Sequence, residues 1–184
     1  PEKPANINQL DQFCLGDSQA YWYHNAGGVS DLSKMSMADV AKLRPLVHKA
    51  FTKAHSDSVF AKTHNLLGEA FGVPTVTMEH TVGGIYVLRN PLDMVMSMSD
   101  HYGISLDEAI EMLADPEAGT GNSKTNAFEF YGTWSQHVHS WTAEDNDSLI
   151  HVRYEDMAGK SKQTFARIAA FLGLSPSKVR LEKA

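Results

Sequence analysis

The stretch Gly83-Gly-Ile-Tyr-Val-Leu88 constrains this chain most, because four apolar residues run together without alternation and stop at Arg89-Asn90-Pro91. A strand that is apolar on both faces is buried on both faces, as strands inside a parallel sheet are. Asn90 is a candidate N-cap and Pro91 a candidate first helical residue, so the strand should feed a helix reaching about His101. Parallel strands cannot be joined by tight hairpins and need crossover segments, usually helices.

The rest of the chain offers such segments. Ser36 and Asp39 resemble a capping box, and Met37, Val40, Leu43 and Val47 follow at helical spacing; Pro45 inside that run predicts a kink or two short helices. Residues 58–64, Ser-Val-Phe-Ala-Lys-Thr-His, read as a strand that turns polar at its end, and Thr75 to Met78 as another short strand. Ser105 and Glu108 open a helix to about Ala114, and residues 115–125 form a loop. Ala127, Tyr131, Trp134, Val138 and Trp141 fall at helical steps, with Gly132 as an alternative starting point for that helix. Ser148 to Tyr154 reads as a third strand, Lys160 to Leu172 as a long helix ending at Gly173, and Ser175-Pro176 as the start of a short one. The first thirty residues are polar and aromatic by turns, with a loop at Gly27-Gly28. Strands separated by helices predict a three-layer α/β fold, a parallel sheet flanked by helices.

Composition narrows the function. The 184 residues show no internal repeat or dividing linker and suit a single domain over residues 1–184. Sixteen Lys and Arg against 22 Asp and Glu give a net charge of −6, which argues against nucleic acid as a partner. Cys14 is the single cysteine, so a disulfide framework and a cysteine zinc site are excluded, and a reducing compartment is expected. No apolar run approaches the roughly 20 residues that span a bilayer, and no signal peptide is visible, so no membrane partner and a cytoplasmic location are expected.

Ligands of parallel α/β sheets sit at the carboxyl ends of strands, which directs attention to Lys62-Thr63-His64 and to Arg89-Asn90-Pro91. Arg89, between a strand end and a helix start, combines a guanidinium fork with free backbone N–H groups and a helix dipole, and Ser97 lies two turns further along. These two residues read either as an anion site or, with Asp93 as partner of Arg89, as ordinary packing. His64 is a candidate general base with Lys62 on the same side of the extended segment, or one of nine histidines with a surface role. His137 and His139 are spaced so that a helix points them apart, and no metal site is expected. Gly119-Thr-Gly-Asn-Ser lacks the lysine of a phosphate-cradling loop. Met94, Met96 and Met98 read as core, as do Trp134 and Trp141, while Tyr131 beside a glycine is placed to stack on a planar ligand.

Four blocks in this order resemble the soluble sulfotransferases that use 3′-phosphoadenosine 5′-phosphosulfate (PAPS). They are Phe60-Ala-Lys-Thr-His64, Tyr86-Val-Leu-Arg-Asn-Pro-Leu-Asp-Met-Val-Met-Ser97, Tyr131-Gly-Thr-Trp134 and His151-Val-Arg-Tyr-Glu-Asp-Met157 with the helix after it. The resemblance implies the P-loop-NTPase-like sulfotransferase fold. It also implies that Arg89 and Ser97 hold the 3′-phosphate, that Tyr131 contacts the adenine, that His64 removes the acceptor's proton, and that Lys62 sits beside the sulfuryl group. The implied reaction is in-line transfer from PAPS, leaving 3′-phosphoadenosine 5′-phosphate (PAP), to a hydroxyl or amine of a small molecule, without a metal.

Two family features have no counterpart. The family's opening Pro-Lys-Ser-Gly-Thr-Thr-Trp loop is absent, no lysine occurs between Gly16 and Gly28, and the late Arg-Lys-Gly segment is missing. A chain trimmed at both ends, or restricted to its ordered residues, is therefore the expectation; were it the whole protein, it should bind the nucleotide weakly and catalyse poorly. The rival readings are a nucleotide-binding relative without transfer activity or one turned to dehydration, a small-molecule kinase, and a non-catalytic interaction domain. The kinase would need a Gly-x-x-x-x-Gly-Lys-Ser/Thr loop, which the sequence lacks. Acceptor identity and oligomeric state have no legible signal.

Overall fold

The computed structural model describes residues 13–177, which divide into two compact units: residues up to Thr81 with Pro116–Gly132, and Val82–Asp115 with the residues from Thr133 on. In the first unit, β1 (Leu15–Gly16) runs parallel to β2 (Ala61–Lys62). Helix α1 (Ala20–Gly27) follows β1 across the short turn Asp17-Ser18-Gln19, and α2 (Met37–Phe51) packs on α1. Two short strands, β3 (Glu69–Ala70) and β4 (Val73–Pro74), form an antiparallel hairpin whose tip, Phe71-Gly72, takes up positive φ angles of 56° and 72°. Tyr23, Leu32, Val40, Val47, Phe51, Ala127 and Phe128 build the core of this unit.

The second unit rests on β5 (Gly84–Leu88) and β6 (Leu149–Arg153), paired in parallel from Gly84 opposite Leu149 to Leu88 opposite Arg153. Among the described residues five helices accompany them: α3 (Pro91–Tyr102), α4 (Leu106–Ala114), α5 (Trp134–Thr142), α6 (Tyr154–Gly159) and α7 (Ser161–Phe171). Tyr86 stacks face to face on Trp141, 5.4 Å between centroids and 7° between planes, with Ile150 and Val152 buried on β6.

Local chemistry fixed most helix starts as expected. Ser36 caps α2 through the Asp39 N–H, Asn90 caps α3 through the Leu92 N–H with Pro91 at the first turn, and Ser105 with Glu108 closes a full capping box on α4. Gly103 and Gly173 end α3 and α7 at φ of 64° and 69°.

Several expectations need correction. Pro45 lies inside one continuous α2, eight residues past the first helical position, Met37, where the missing N–H matters least. The strand at 58–64 shrinks to Ala61–Lys62, and residues 75–78 lead into a 3₁₀ turn (Met78–His80) instead of forming a strand. On β5 only Tyr86 is buried, and Val87 is 46% exposed. The methionines at 94, 96 and 98 are not core, because no residue of α3 is buried. The apolar spacing from Ala127 does not start a helix there. Residues 126–130 are extended, held by antiparallel bridges to Gln19 and Gly119, and α5 starts at Trp134 under a Thr133–Gln136 capping box. Helix α1 falls where polar and aromatic residues alternate, a stretch without helical patterning. Among the described residues, Ser175 to Ser177 form no helix; the remainder of that expected element lies outside them.

Candidate active site

In the second unit, β5 delivers Arg89 to the N-terminus of α3. Its guanidinium carbon lies 4.6 Å over the ring of Tyr154, a cation–π contact with the first residue of α6. The indole Nε1–H of Trp134 donates to the Arg89 carbonyl at 3.2 Å, so three of the sequence blocks meet at one arginine. Arg89 Nε is buried without a hydrogen-bond partner. Leaving a buried donor unmade is costly, and a native protein keeps one mainly where a ligand or water completes it. A cavity of about 260 Å³ opens here, lined by Arg89, Asn90, Pro91, Trp134, Arg153 and Glu155. Asp93 does not engage Arg89 among the described residues.

Glu155 sets the electrostatics of this cavity. It accepts the Asn90 backbone N–H at 2.7 Å and lies 3.6 Å from Arg153. The Asn90 N–H, more than the nearby guanidinium groups of Arg153 and Arg89, holds the Glu155 carboxyl below its ordinary range. Ser97 sits two turns into α3 and is exposed.

In the first unit, Lys62 closes β2 and is exposed, opposite Gly16 of β1. His64 lies two residues beyond the strand, its side chain 54% exposed. Its ring stands edge-on to Tyr131 at 6.4 Å, so these two predicted residues do meet. The group that joins them was not foreseen. Glu129, 8% exposed, sits with its two carboxylate oxygens 3.0 and 3.2 Å from His64 Nδ1. It also accepts the His64 backbone N–H at 3.3 Å and the Tyr131 hydroxyl at 3.3 Å. Burial pushes the Glu129 carboxyl up, but the His64 ring and backbone donors outweigh it and the net displacement is downward.

A buried polar network anchors the loop that carries His64. Asp17, at the end of β1, accepts from the Thr63 hydroxyl at 2.9 Å, from Asn65 Nδ2 at 2.9 Å and from His48 Nε2 at 2.7 Å. His48 Nδ1 accepts the Thr77 N–H at 3.1 Å, which fixes the proton on Nε2. Asn65 Oδ1 then accepts the Phe130 N–H at 2.8 Å, tying the His64 loop to the segment bearing Glu129 and Tyr131. The turn between β1 and α1 has strand–loop–helix form, yet its charged residue is this inward acid and not a lysine. The sequence signal for Glu129 was a carboxylate between Phe128 and Phe130, a placement that requires a partner, whereas Asp17 between Gly16 and Ser18 carried no such signal.

Comparison with known proteins gives the family. Residues 22–184 match the family described as Sulfotransferase domain, and the chain belongs to that family. It is 29% identical to Sulfotransferase 1A1 of Rattus norvegicus over 108 residues, which covers 56% of this chain and 35% of that protein. The chain thus spans about a third of the length of the curated relatives it matches. Among solved structures, mouse sulfotransferase SULT7A1 complexed with PAP aligns with a TM-score of 0.56 and 17% identity, covering 96% of this chain and 66% of that one. Retinol dehydratase, in complex with androsterone and inactive cofactor PAP, aligns with a TM-score of 0.53 and 21% identity, covering 79% and 42%. The chain shares the α/β fold of these proteins, and among its described residues no helix is long and apolar enough to cross a membrane.

Proposed function

We propose that this chain takes part in PAPS-dependent sulfuryl transfer to a hydroxyl or amine of a small-molecule acceptor, as a single sulfotransferase domain working in the cytoplasm. The observation that carries the reading is the partnerless buried Nε of Arg89 beside the capped start of α3. A doubly charged phosphate completes that donor, and the Arg89 fork and the Ser97 hydroxyl are the residues assigned to hold it. The cavity of about 260 Å³ suits a phosphate group.

PAPS, when bound, supplies the sulfuryl group and leaves as PAP. The remaining chemistry belongs to the chain's own side chains. His64 takes the acceptor's proton, so that the oxygen or nitrogen gains nucleophilicity as the proton departs. The Lys62 ammonium, at the exposed tip of β2, is assigned to balance negative charge on the moving group. Tyr131 is assigned to the adenine through its ring, its hydroxyl being held by Glu129. No metal enters this scheme.

A nucleotide-binding relative without transfer activity is the second reading. It is favoured by the β1–α1 turn, where the buried acid Asp17 stands in place of a phosphate-gripping lysine.

Isothermal titration with PAP tests the first assignment. The unaltered chain should bind, and Arg89→Ala with Ser97→Ala should weaken binding at least tenfold; equal affinity in the variant would refute it. His64→Ala, assayed with PAPS and 2-naphthol, separates the two readings, since a transferase should lose most turnover and keep PAP affinity.

A further inference from the structure

We propose that Glu129 is the positioning residue for His64: it holds the imidazole as the Nδ1–H tautomer and thereby makes Nε2 the nitrogen that takes the acceptor's proton. This inference rests on the reading of His64 as the base and adds what that reading lacked, a reason for the ring to have one orientation and one tautomer.

The geometry carries it. A carboxylate below its ordinary pKa range has no hydrogen to give, so Nδ1 at 3.0 and 3.2 Å from its two oxygens must be the donor. In a neutral ring the other nitrogen then bears the lone pair. The same carboxylate fixes the backbone beneath the ring through the His64 N–H, and fixes the edge-on Tyr131 through its hydroxyl. A side chain 8% exposed that spends its acceptors on one residue's ring and backbone and on the aromatic beside it is built to orient that residue. The ring itself is half-exposed, so packing alone does not fix it.

The surroundings fix Glu129 in turn. Its N–H donates to the Thr120 hydroxyl at 2.9 Å, and its carbonyl accepts the Thr120 N–H at 2.8 Å. Asn65 braces Phe130 next door from the other side. The proton path needs no further group: the acceptor's proton moves to Nε2, Nδ1–H stays on Glu129, and the imidazolium so formed is paired with the carboxylate.

Nitrogen-15 NMR of the full chain at mildly alkaline pH reads the tautomer directly. The unaltered protein should show His64 protonated at Nδ1, and Glu129→Ala should move the proton to Nε2, the form imidazole prefers in water. Glu129→Gln keeps the volume and serves if the alanine variant does not fold; it should give a mixture of tautomers. With PAPS and 2-naphthol, either variant should lower kcat at least tenfold, a larger effect than on PAP affinity, which falls only as far as Tyr131 depends on its lost hydroxyl partner. An unchanged tautomer in both variants overturns the positioning role alone. A switched tautomer with undiminished kcat overturns both Glu129's part in turnover and the reading of His64 as base.

Discussion

Trp134 donates its indole N–H to the carbonyl oxygen of Arg89, 3.2 Å away. The bond joins the first residue of α5 to the last turn of backbone before α3, and it fixes the direction in which the arginine leaves its strand. Tyr154 then carries the guanidinium on its ring.

Trp134→Phe keeps an aromatic side chain, though a smaller one, and removes that donor. The expected cost is about 1 kcal/mol of stability, the usual worth of one intramolecular hydrogen bond, read from urea unfolding. PAP affinity should fall a few-fold with it. A variant with full affinity would show that the Arg89 backbone needs no such tether.

Glu155→Gln should tighten PAP binding several-fold, and more so at low salt. The carboxylate shares a cavity with Arg89 and repels an incoming phosphate, while the amide oxygen can still accept the Asn90 N–H. Because the Asn90 N–H keeps the Glu155 carboxyl below its ordinary range, the repulsion persists through mildly acidic pH. Titration calorimetry at two salt concentrations reads the effect; weaker binding in the variant would reverse its sign and exclude a phosphate at this cavity.

Acid should destabilise the first unit through Asp17. Burial opposes its ionisation, but the His48, Thr63 and Arg44 interactions together hold its carboxyl below the ordinary value. A depressed folded pKa means the stabilisation is complete above the unfolded pKa of about 3.9 and is lost as pH falls through the folded value. Asp17→Asn should remove about 3 kcal/mol at neutral pH, as expected for breaking a buried pair, and should flatten the acid limb of the urea midpoint. An unaltered limb would assign acid sensitivity to other carboxylates.

Gly119→Ala should disturb His64 from a distance. A Cβ at Gly119 collides with the Glu129 carbonyl, a backbone atom that cannot swing aside. The cost should be about 1–3 kcal/mol, with loss of the His64 Nδ1–H signal. Gly121→Ala, where a Cβ meets nothing within 4 Å, is the matched control and should be neutral.

The parts of this molecule set by local chemistry could be read from sequence. Ser36, Asn90 and Ser105 cap helices because a short polar side chain satisfies N–H groups within the next turn, whatever the distant surroundings. Residues 127–131 could not be read in this way. Steps of four and three between apolar residues fit a helix, but Ala127 and Phe128 are buried in the first unit's core while extended, and Gly132 at φ 63° turns the chain before α5 begins. Tertiary contact overrode periodicity there, and Glu129 was hidden by the same misreading. Arg89 and His64 could be singled out as candidates because strand ends expose side chains; the residues they touch, Tyr154 and Glu129, could not, since each comes from a segment remote in sequence.

Helix α3 is clamped at its two extremities, by Asn90 at one end and Gly103 at the other, while its body buries nothing. Amide protons along its middle should therefore exchange with solvent early, ahead of those on β6. A nucleotide gripping Ser97 would slow that exchange, making the helix a built-in reporter of occupancy even where no turnover can be measured.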